Sequence, residues 1–270
     1  MMLEVRHLRK VYEGNGRSVE AVHDVDFSLR KGELVCVVGP SGAGKTTILR
    51  CISGLLSPTS GEVVLNGRRV AGPPDGMAVV FQDYGRSLFP WMKVRNNVEL
   101  PLKEKKLPVE ERRRLVDSSL EAVGLASAAN AYPWQLSGGM QQRVAIARAI
   151  AYEPEVLLMD EPFASVDAQT RADLEDLVRS LWKRLGVTIV FVTHDIDESV
   201  YLGERVVVLS ASPTIVMEDV AIDLDRERDQ LTTRAEPRFG QLRTQIYGLI
   251  QNAKDSGYRE DLLPASESHP

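Results

Sequence analysis

The segment Gly39-Pro40-Ser41-Gly42-Ala43-Gly44-Lys45-Thr46 constrains the fold most. It joins the apolar run Leu34-Val35-Cys36-Val37-Val38 to the helix-like stretch Thr47-Ile48-Leu49-Arg50-Cys51-Ile52. A strand ending in a glycine-rich turn lets successive backbone N–H groups curl round an anionic phosphate, and the following helix adds the positive end of its dipole. A Cβ at Gly39, Gly42 or Gly44 would forbid the backbone angles or hold the chain off the phosphate. Lys45 has the reach for the β- and γ-phosphates of a nucleotide, and the Thr46 hydroxyl suits Mg²⁺. Residues 39–47, through Thr47 at the helix start, are therefore the expected phosphate site.

Other segments carry matching chemistry. In Leu136-Ser137-Gly138-Gly139-Met140-Gln141-Gln142-Arg143, Ser137 sits where an N-cap would, Gly138 and Gly139 expose backbone amides, and Val144 to Ile150 continues as a helix. A helix start of this kind favours negative charge, so the chain carries a second candidate anion site. The run Val156-Leu157-Leu158-Met159 ends in Asp160-Glu161-Pro162, the form of a buried parallel strand delivering acids to its carboxyl end. Side chains alternate along a strand, so Asp160 and Glu161 cannot point the same way. Two more apolar runs end in polar residues, Met77 to Phe81 at Gln82 and Thr188 to Thr193 at His194. Tyr12 closes the strand-like Leu8-Arg9-Lys10-Val11.

Taken in this order, the motifs resemble the ATP-binding cassette subunit of ABC transporters, whose signature is a Leu-Ser-Gly-Gly run between the P-loop and the acidic strand. The resemblance implies an α/β fold: a P-loop NTPase core with a mainly parallel sheet, an N-terminal antiparallel β subdomain and a helical insertion. It implies ATP and Mg²⁺ as cofactors. By the same resemblance Asp160 holds Mg²⁺ through water, Glu161 polarises the attacking water as general base, and His194 touches the γ-phosphate. Gln82 contacts Mg²⁺ or the water and follows the membrane partner, and Tyr12 stacks on adenine. Ser137, Gly138 and Gly139 face the P-loop of a second copy, so that each ATP is sandwiched between two chains. In Ala164-Ser165-Val166-Asp167 only Asp167 matches the family's commonest D-loop wording, Ser-Ala-Leu-Asp, so only that residue is carried over. Met140 stands where many relatives have glutamine, a departure of small consequence because backbone amides bind the phosphate there.

The first part of the chain alternates apolar and polar residues at Val22, Val25, Phe27 and Leu29. Turns at Gly14-Asn15-Gly16 and Lys31-Gly32 suggest antiparallel hairpins, with a further pair flanking Asn66-Gly67. Residues from about 95 to 150 follow helical spacing, including Leu115, Leu120 and Val123, and form the expected insertion. Strands at 156–159, 188–193 and 205–209 then alternate with a helix at about 169–184, the pattern of a parallel sheet. The expected division is an ATPase domain over 1–220 and a C-terminal extension over 221–270. In the extension, Phe239, Leu242, Ile246 and Leu249 mark one short amphipathic helix before a polar tail, Ser266 to Pro270. There is no tandem repeat.

A length of 270 residues buries enough core to do without disulfides, and Cys36 and Cys51 read as small core residues of a reducing cytosol. A net charge of −5 does not favour a nucleic-acid grip, and Arg112-Arg113-Arg114 alternates with acids on a solvated helix face. No apolar stretch approaches the roughly 20 residues of a membrane-spanning helix, and the N-terminus lacks a signal-peptide core. A membrane link then runs through a partner.

The expected function is the ATP-hydrolysing motor of a bacterial importer, peripheral on the cytoplasmic face of the inner membrane. Its expected partners are a second copy of itself, separate permease subunits and, through the permease, a periplasmic or lipid-anchored solute-binding protein; no nucleic acid is expected. The stretch from Phe81 to Trp91 and that from Pro162 to Asp167 are similar to the nitrate, sulfonate and taurine branch of importers. A cassette ATPase of DNA repair or chromosome architecture is the alternative, but it needs long coiled-coil insertions. Only about 90 residues separate the P-loop from the signature here, without sustained heptads. A GTP-dependent switch or small-molecule kinase, another non-transport P-loop NTPase, would not explain Leu136-Ser137-Gly138-Gly139, and no Asn-Lys-x-Asp guanine-reading segment occurs.

Overall fold

The computed structural model describes residues 1–14 and 17–255. In chain order its elements are β1 (Leu3–Gly14), β2 (Arg17–Leu29), β3 (Leu34–Val38), α1 (Lys45–Ile52), β4 (Ser60–Leu65), β5 (Arg68–Arg69) and β6 (Met77–Val80). There follow α2 (Tyr84–Ser87), α3 (Val94–Glu99), α4 (Val109–Ala122), α5 (Gly138–Ala151), β7 (Val156–Asp160), α6 (Ala168–Leu185) and β8 (Thr188–Thr193). The chain continues through α7 (Ile196–Leu202), β9 (Arg205–Leu209), β10 (Thr214–Ala221), α8 (Thr232–Ala235) and α9 (Pro237–Asp255).

The strands form one curled mixed sheet in the order β5-β4-β1-β2-β10-β9-β3-β8-β7-β6. From β9 to β6 every pairing is parallel, whereas β1, β2, β4 and β5 pair antiparallel. Continuous Val/Ile/Leu runs explain the parallel half: β3, β7 and β8 are buried along their whole length, as strands covered on both faces must be. Their side chains alternate between two cores. Cys36, Met159, Phe191 and Val208 face the layer of helices that includes α5, α6, α7 and α9, while Val37, Leu158, Val192 and Leu209 face α1 and the antiparallel strands.

The hairpin at Asn66-Gly67 forms as expected: Leu65 pairs with Arg68, and both turn residues take positive φ. β1 and β2 also make a hairpin, with Gly14 opposite Arg17, although the tip at Asn15-Gly16 lies outside the described residues. The hairpin expected at Lys31-Gly32 does not form. Those residues make the turn, but β2 pairs with β1 and β10, whereas wholly apolar β3 enters the parallel layer between β8 and β9. Helices α3 and α4 pack on α5, with Leu115, Val116 and Leu120 turned inward, as the spacing predicts.

The C-terminal segment also departs from expectation. Instead of one short helix there is α8 followed by a 19-residue α9. Phe239, Leu242, Ile246 and Ile250 bury one stripe of α9 in the core shared with α7 and β9, and Leu249 is only partly buried. Burial of a stripe four side chains long, about 2 kcal/mol for each, is what holds the longer helix down. The expected polar tail, Ser266 to Pro270, lies outside the described residues.

Candidate nucleotide site

Between β3 and α1 the chain passes through Gly42 (φ 80°) and Gly44 (φ 67°), the left-handed N-cap of α1. A Cβ on Gly44 would lie 3.1 Å from the Ala21 carbonyl oxygen, so side chains are disfavoured there by conformation and by space. The loop from Gly39 to Thr47 lines a cleft of about 730 Å³ together with Ala21, Glu161, His194, Ile196 and three residues of α9. All nine loop positions expected from the sequence are therefore at one opening.

Lys45 is 6% exposed, and its Nζ donates to the carbonyl oxygens of Gly39 and Pro40, both at 3.0 Å, while lying 3.8 Å from Glu161 Oε1. Burial pushes its ammonium pKa down, against the pull of the Glu161 and Asp160 carboxylates. A cation held at the mouth of an amide-lined loop, whose contacts among the described residues are two carbonyls and a carboxylate 3.8 Å away, suits a polyanion. The two acids do point apart, but β7 ends at Asp160, and it is the left-handed turn at Glu161 rather than strand alternation that separates them. Asp160 is buried and accepts a hydrogen bond from Thr46 Oγ1 at 3.3 Å, and desolvation holds its carboxyl above the usual range. Glu161, just past the strand, turns through φ 42° and places Oε2 2.9 Å from His194 Nδ1. Its backbone N–H stays tied to the Val192 carbonyl oxygen at 2.9 Å, so β8 positions both the acid and the histidine at its own end. Strain of this kind in a non-glycine residue is typical of functional positions.

Tyr12 stands beside α1, its hydroxyl 3.2 Å from Thr47 Oγ1, with the ring exposed. Gln82, exposed beyond β6, and buried Asp160 lie near the ends of parallel strands but do not line the cleft. The second anion site is also apart from it. Ser137 caps α5 by accepting from Met140 N at 3.3 Å, and Ser137 and Gly138 are exposed, with none of the Ser137 to Gly139 segment in the cleft wall. Gly139 packs so tightly on α6 that a Cβ there would lie 2.4 Å from Thr170 Cγ2. Asp167 caps α6, accepting from Thr170 N at 3.0 Å and Thr170 Oγ1 at 2.7 Å, and does not reach the cleft.

Sequence reasoning missed several residues. Buried Asn97 clamps the chain after α2: its Oδ1 accepts from Phe89 N at 2.8 Å, and its Nδ2 donates to the carbonyl oxygens of Phe89 and Met92. Arg148 of α5, whose guanidinium pKa burial pushes down, donates to Ser87 O and Oγ at the start of the same stretch. The clamp presents Trp91, 72% exposed, with Phe89 packed edge-on 5.4 Å away, while Leu88 is buried. An asparagine on a helix gives no local sign of such a role. Tyr247, Ile250 and Gln251 of α9 line the nucleotide cleft, although only core-forming periodicity was legible there.

An amide-lined loop over a helix start, a buried lysine, and an acid–histidine pair at the carboxyl ends of parallel strands define a nucleoside-triphosphate-binding P-loop protein. The family model described as ABC transporter matches residues 22–164, more than half of the chain. The chain is 43% identical to the nitrate import ATP-binding protein NrtD of Synechocystis over 93% of this chain and 96% of that one. It is 41% identical to the taurine import ATP-binding protein TauB of Roseobacter denitrificans over 96% and 98%. A solved dimeric ATP-binding cassette, in a post-hydrolysis state with ADP and Pi, superposes with a TM-score of 0.73 and 35% identity over 82% of this chain and 99% of that one. The chain belongs to the ABC transporter family and is an ATPase of that family.

Proposed function

We propose that this chain is the ATP-hydrolysing motor subunit of an importer for nitrate-, sulfonate- or taurine-type cargo, held at the cytoplasmic face of the membrane by separate permease subunits that receive solute from a binding protein. The carrying observation is the Glu161–His194 contact of 2.9 Å at the mouth of the P-loop cleft. The cargo reading rests on the names of the NrtD and TauB relatives. Among the described residues no helix is long and apolar enough to cross a membrane, which accords with a separate permease. Residues 1–220 then form the ATPase domain and 221–270 a C-terminal extension whose α9 packs back into the core of that domain.

The chemistry follows from the side chains. ATP lays its phosphates along the amides of residues 39–45, and Lys45 exchanges the carbonyls of Gly39 and Pro40 for phosphate oxygens. Glu161 accepts a proton from water as that water attacks the γ-phosphorus in line, and the bond to the β–γ bridging oxygen breaks to give ADP and phosphate. His194, already bonded to Glu161, holds the γ-phosphoryl oxygens and fixes the carboxylate. Thr46 Oγ1 and Asp160 Oδ1, 3.3 Å apart, are hard oxygen donors that would hold Mg²⁺, with the Gln82 side chain as a further oxygen ligand. Bound there, Mg²⁺ would neutralise developing charge on the phosphate oxygens. Tyr12 offers its ring to adenine. Ser137, Gly138 and Gly139 complete the site from a second copy, with Asp167 at the seam; a solved cassette relative is dimeric.

The test is Glu161→Gln in the purified transporter complex: ATP binding is retained and turnover falls about 10²-fold or more, since the amide cannot take the proton. Near-normal turnover would overturn the general-base role. Comparing nitrate with taurine as stimulants of the parent complex's ATPase decides the cargo.

A further inference from the structure

The buried stripe of α9 places the opposite flank of the helix at the rim of the nucleotide cleft. Ile246 is in the core, so Tyr247, the next residue, projects sideways from the helix and is 55% exposed. That flank borders two openings at once. Tyr247 and Gln251, with Ile250 of the buried stripe, line the nucleotide cleft together with His194 and Ile196. Arg243, Thr244 and Tyr247 also wall a second cleft of about 580 Å³, whose other wall is the segment from His194 to Asp197. Across that cleft Arg243 Nε lies 3.8 Å from Asp197 Oδ1, too far for a hydrogen bond, and this carboxylate oxygen has no hydrogen-bond partner among the described residues. The rim thus offers an exposed aromatic ring beside a loosely held ion pair.

What covers this rim follows from the incompleteness of the site. Ser137, Gly138 and Gly139 do not reach the cleft of their own chain, and one solved cassette relative is a dimer in both of its structures. A second copy delivering that segment to Ser41 and Gly42 comes down on the same mouth. We propose that the exposed flank of α9, formed by Arg243, Tyr247 and Gln251, is part of the face that a second copy of this chain covers when ATP closes the dimer, with the cleft beneath Tyr247 receiving a side chain of that copy. The proposal rests on the reading that two copies share each ATP. Tyrosine suits the role, since its ring gives a large apolar contact while the hydroxyl keeps a polar partner. The contact deepens the dimer beyond the phosphate sandwich, and it couples α9 to the segment that carries His194.

The experiment uses the full chain in the Glu161→Gln form, with and without Tyr247→Glu or Arg243→Glu, each at an ATP concentration that saturates it. Sedimentation equilibrium measures the dimer dissociation constant, and thermal melting checks each fold; Tyr247→Ala replaces the glutamate variant if that one melts early. A two-fold dimer makes each contact twice, so loss of one interface tyrosine should weaken the dimer by about tenfold per site and about a hundredfold in all. Arg243→Glu, outside the nucleotide cleft, should weaken it in the same direction. A dissociation constant unchanged in folded variants overturns the inference, as does a tighter dimer, which would make α9 a wedge. Failure of the Tyr247 variants to bind ATP at all would place Tyr247 within one copy's own site and also overturn it. If the Glu161→Gln parent stays monomeric with ATP, the shared-site reading itself fails and takes the inference with it.

Discussion

Glu198, in the first turn of α7, is 3% exposed, and burial pushes its carboxyl up to about 8 from an ordinary 4.5. A hydrogen bond from Thr193 and the charge of Arg171 oppose the rise, while Glu175 and Asp195 add to it. Between those two pH values the unfolded chain has released a proton that the folded chain keeps, so stability falls as pH rises through the window and levels off above about 8. At about 1.4 kcal/mol for each pH unit, the loss from pH 5 to pH 7.5 is about 3 kcal/mol. Glu198→Gln has no proton to lose and keeps the shape and the Thr193 hydrogen bond. The variant should match the parent near pH 5 and exceed it near pH 7.5 by about 3 kcal/mol, which for a chain of this size is about 5–10 °C in melting temperature. Thermal melts of both proteins across this range are the assay. A melting-temperature gap that stays constant with pH would refute the reasoning, because a packing effect has no reason to follow the titration.

Lys45→Ala should weaken ATP binding itself by at least about tenfold, since the buried ammonium is the cation nearest the loop carbonyls, and titration with a fluorescent ATP analogue measures it. Ser137→Arg should abolish ATP-dependent pairing of the Glu161→Gln form in light scattering, because a long side chain would occupy the place of the γ-phosphate. Trp91→Ala should leave the melting temperature within about 2 °C, as expected for so exposed a side chain, while weakening assembly with the permease in co-purification. A large loss of stability would instead make Trp91 a packing residue of the helical layer.

The P-loop, the acids at the end of β7 and the histidine after β8 were legible because each is a short apolar strand leading directly to its functional residue, a pattern contained within ten residues or so. The parallel sheet followed from the same runs. Strand pairing was less accessible. Lys31-Gly32 is a real turn, yet nothing local says that the next strand passes to the centre of another layer rather than folding back. β10 went unread because its burial depends on two neighbours distant in sequence, β9 and β2, and its own residues are mixed in polarity. The periodicity of α9 showed that one face is buried but not what its flank would meet, and that flank lies at the nucleotide cleft. Asn97 and Arg148 act through contacts made only once the helical layer is assembled.

β10 is the strand where the two halves of the sheet meet, pairing with β2 through Thr214↔Val22 and Ile215↔Asp24 and with β9 along most of its length. The Thr214 hydroxyl lies 2.7 Å from the carbonyl oxygen of Ala43, in the P-loop, and 3.0 Å from that of Ala21, in β2. The hairpin that carries Tyr12 and the loop that carries Lys45 are thereby pinned to one another at a single buried hydroxyl. In the proposed binding mode, with Tyr12 under the adenine and Lys45 at the phosphates, the two ends of the nucleotide rest on separate layers, and this pin is the gauge of the distance between them. A valine at position 214 would keep the bulk and remove the pin, turning a fixed span into an adjustable one.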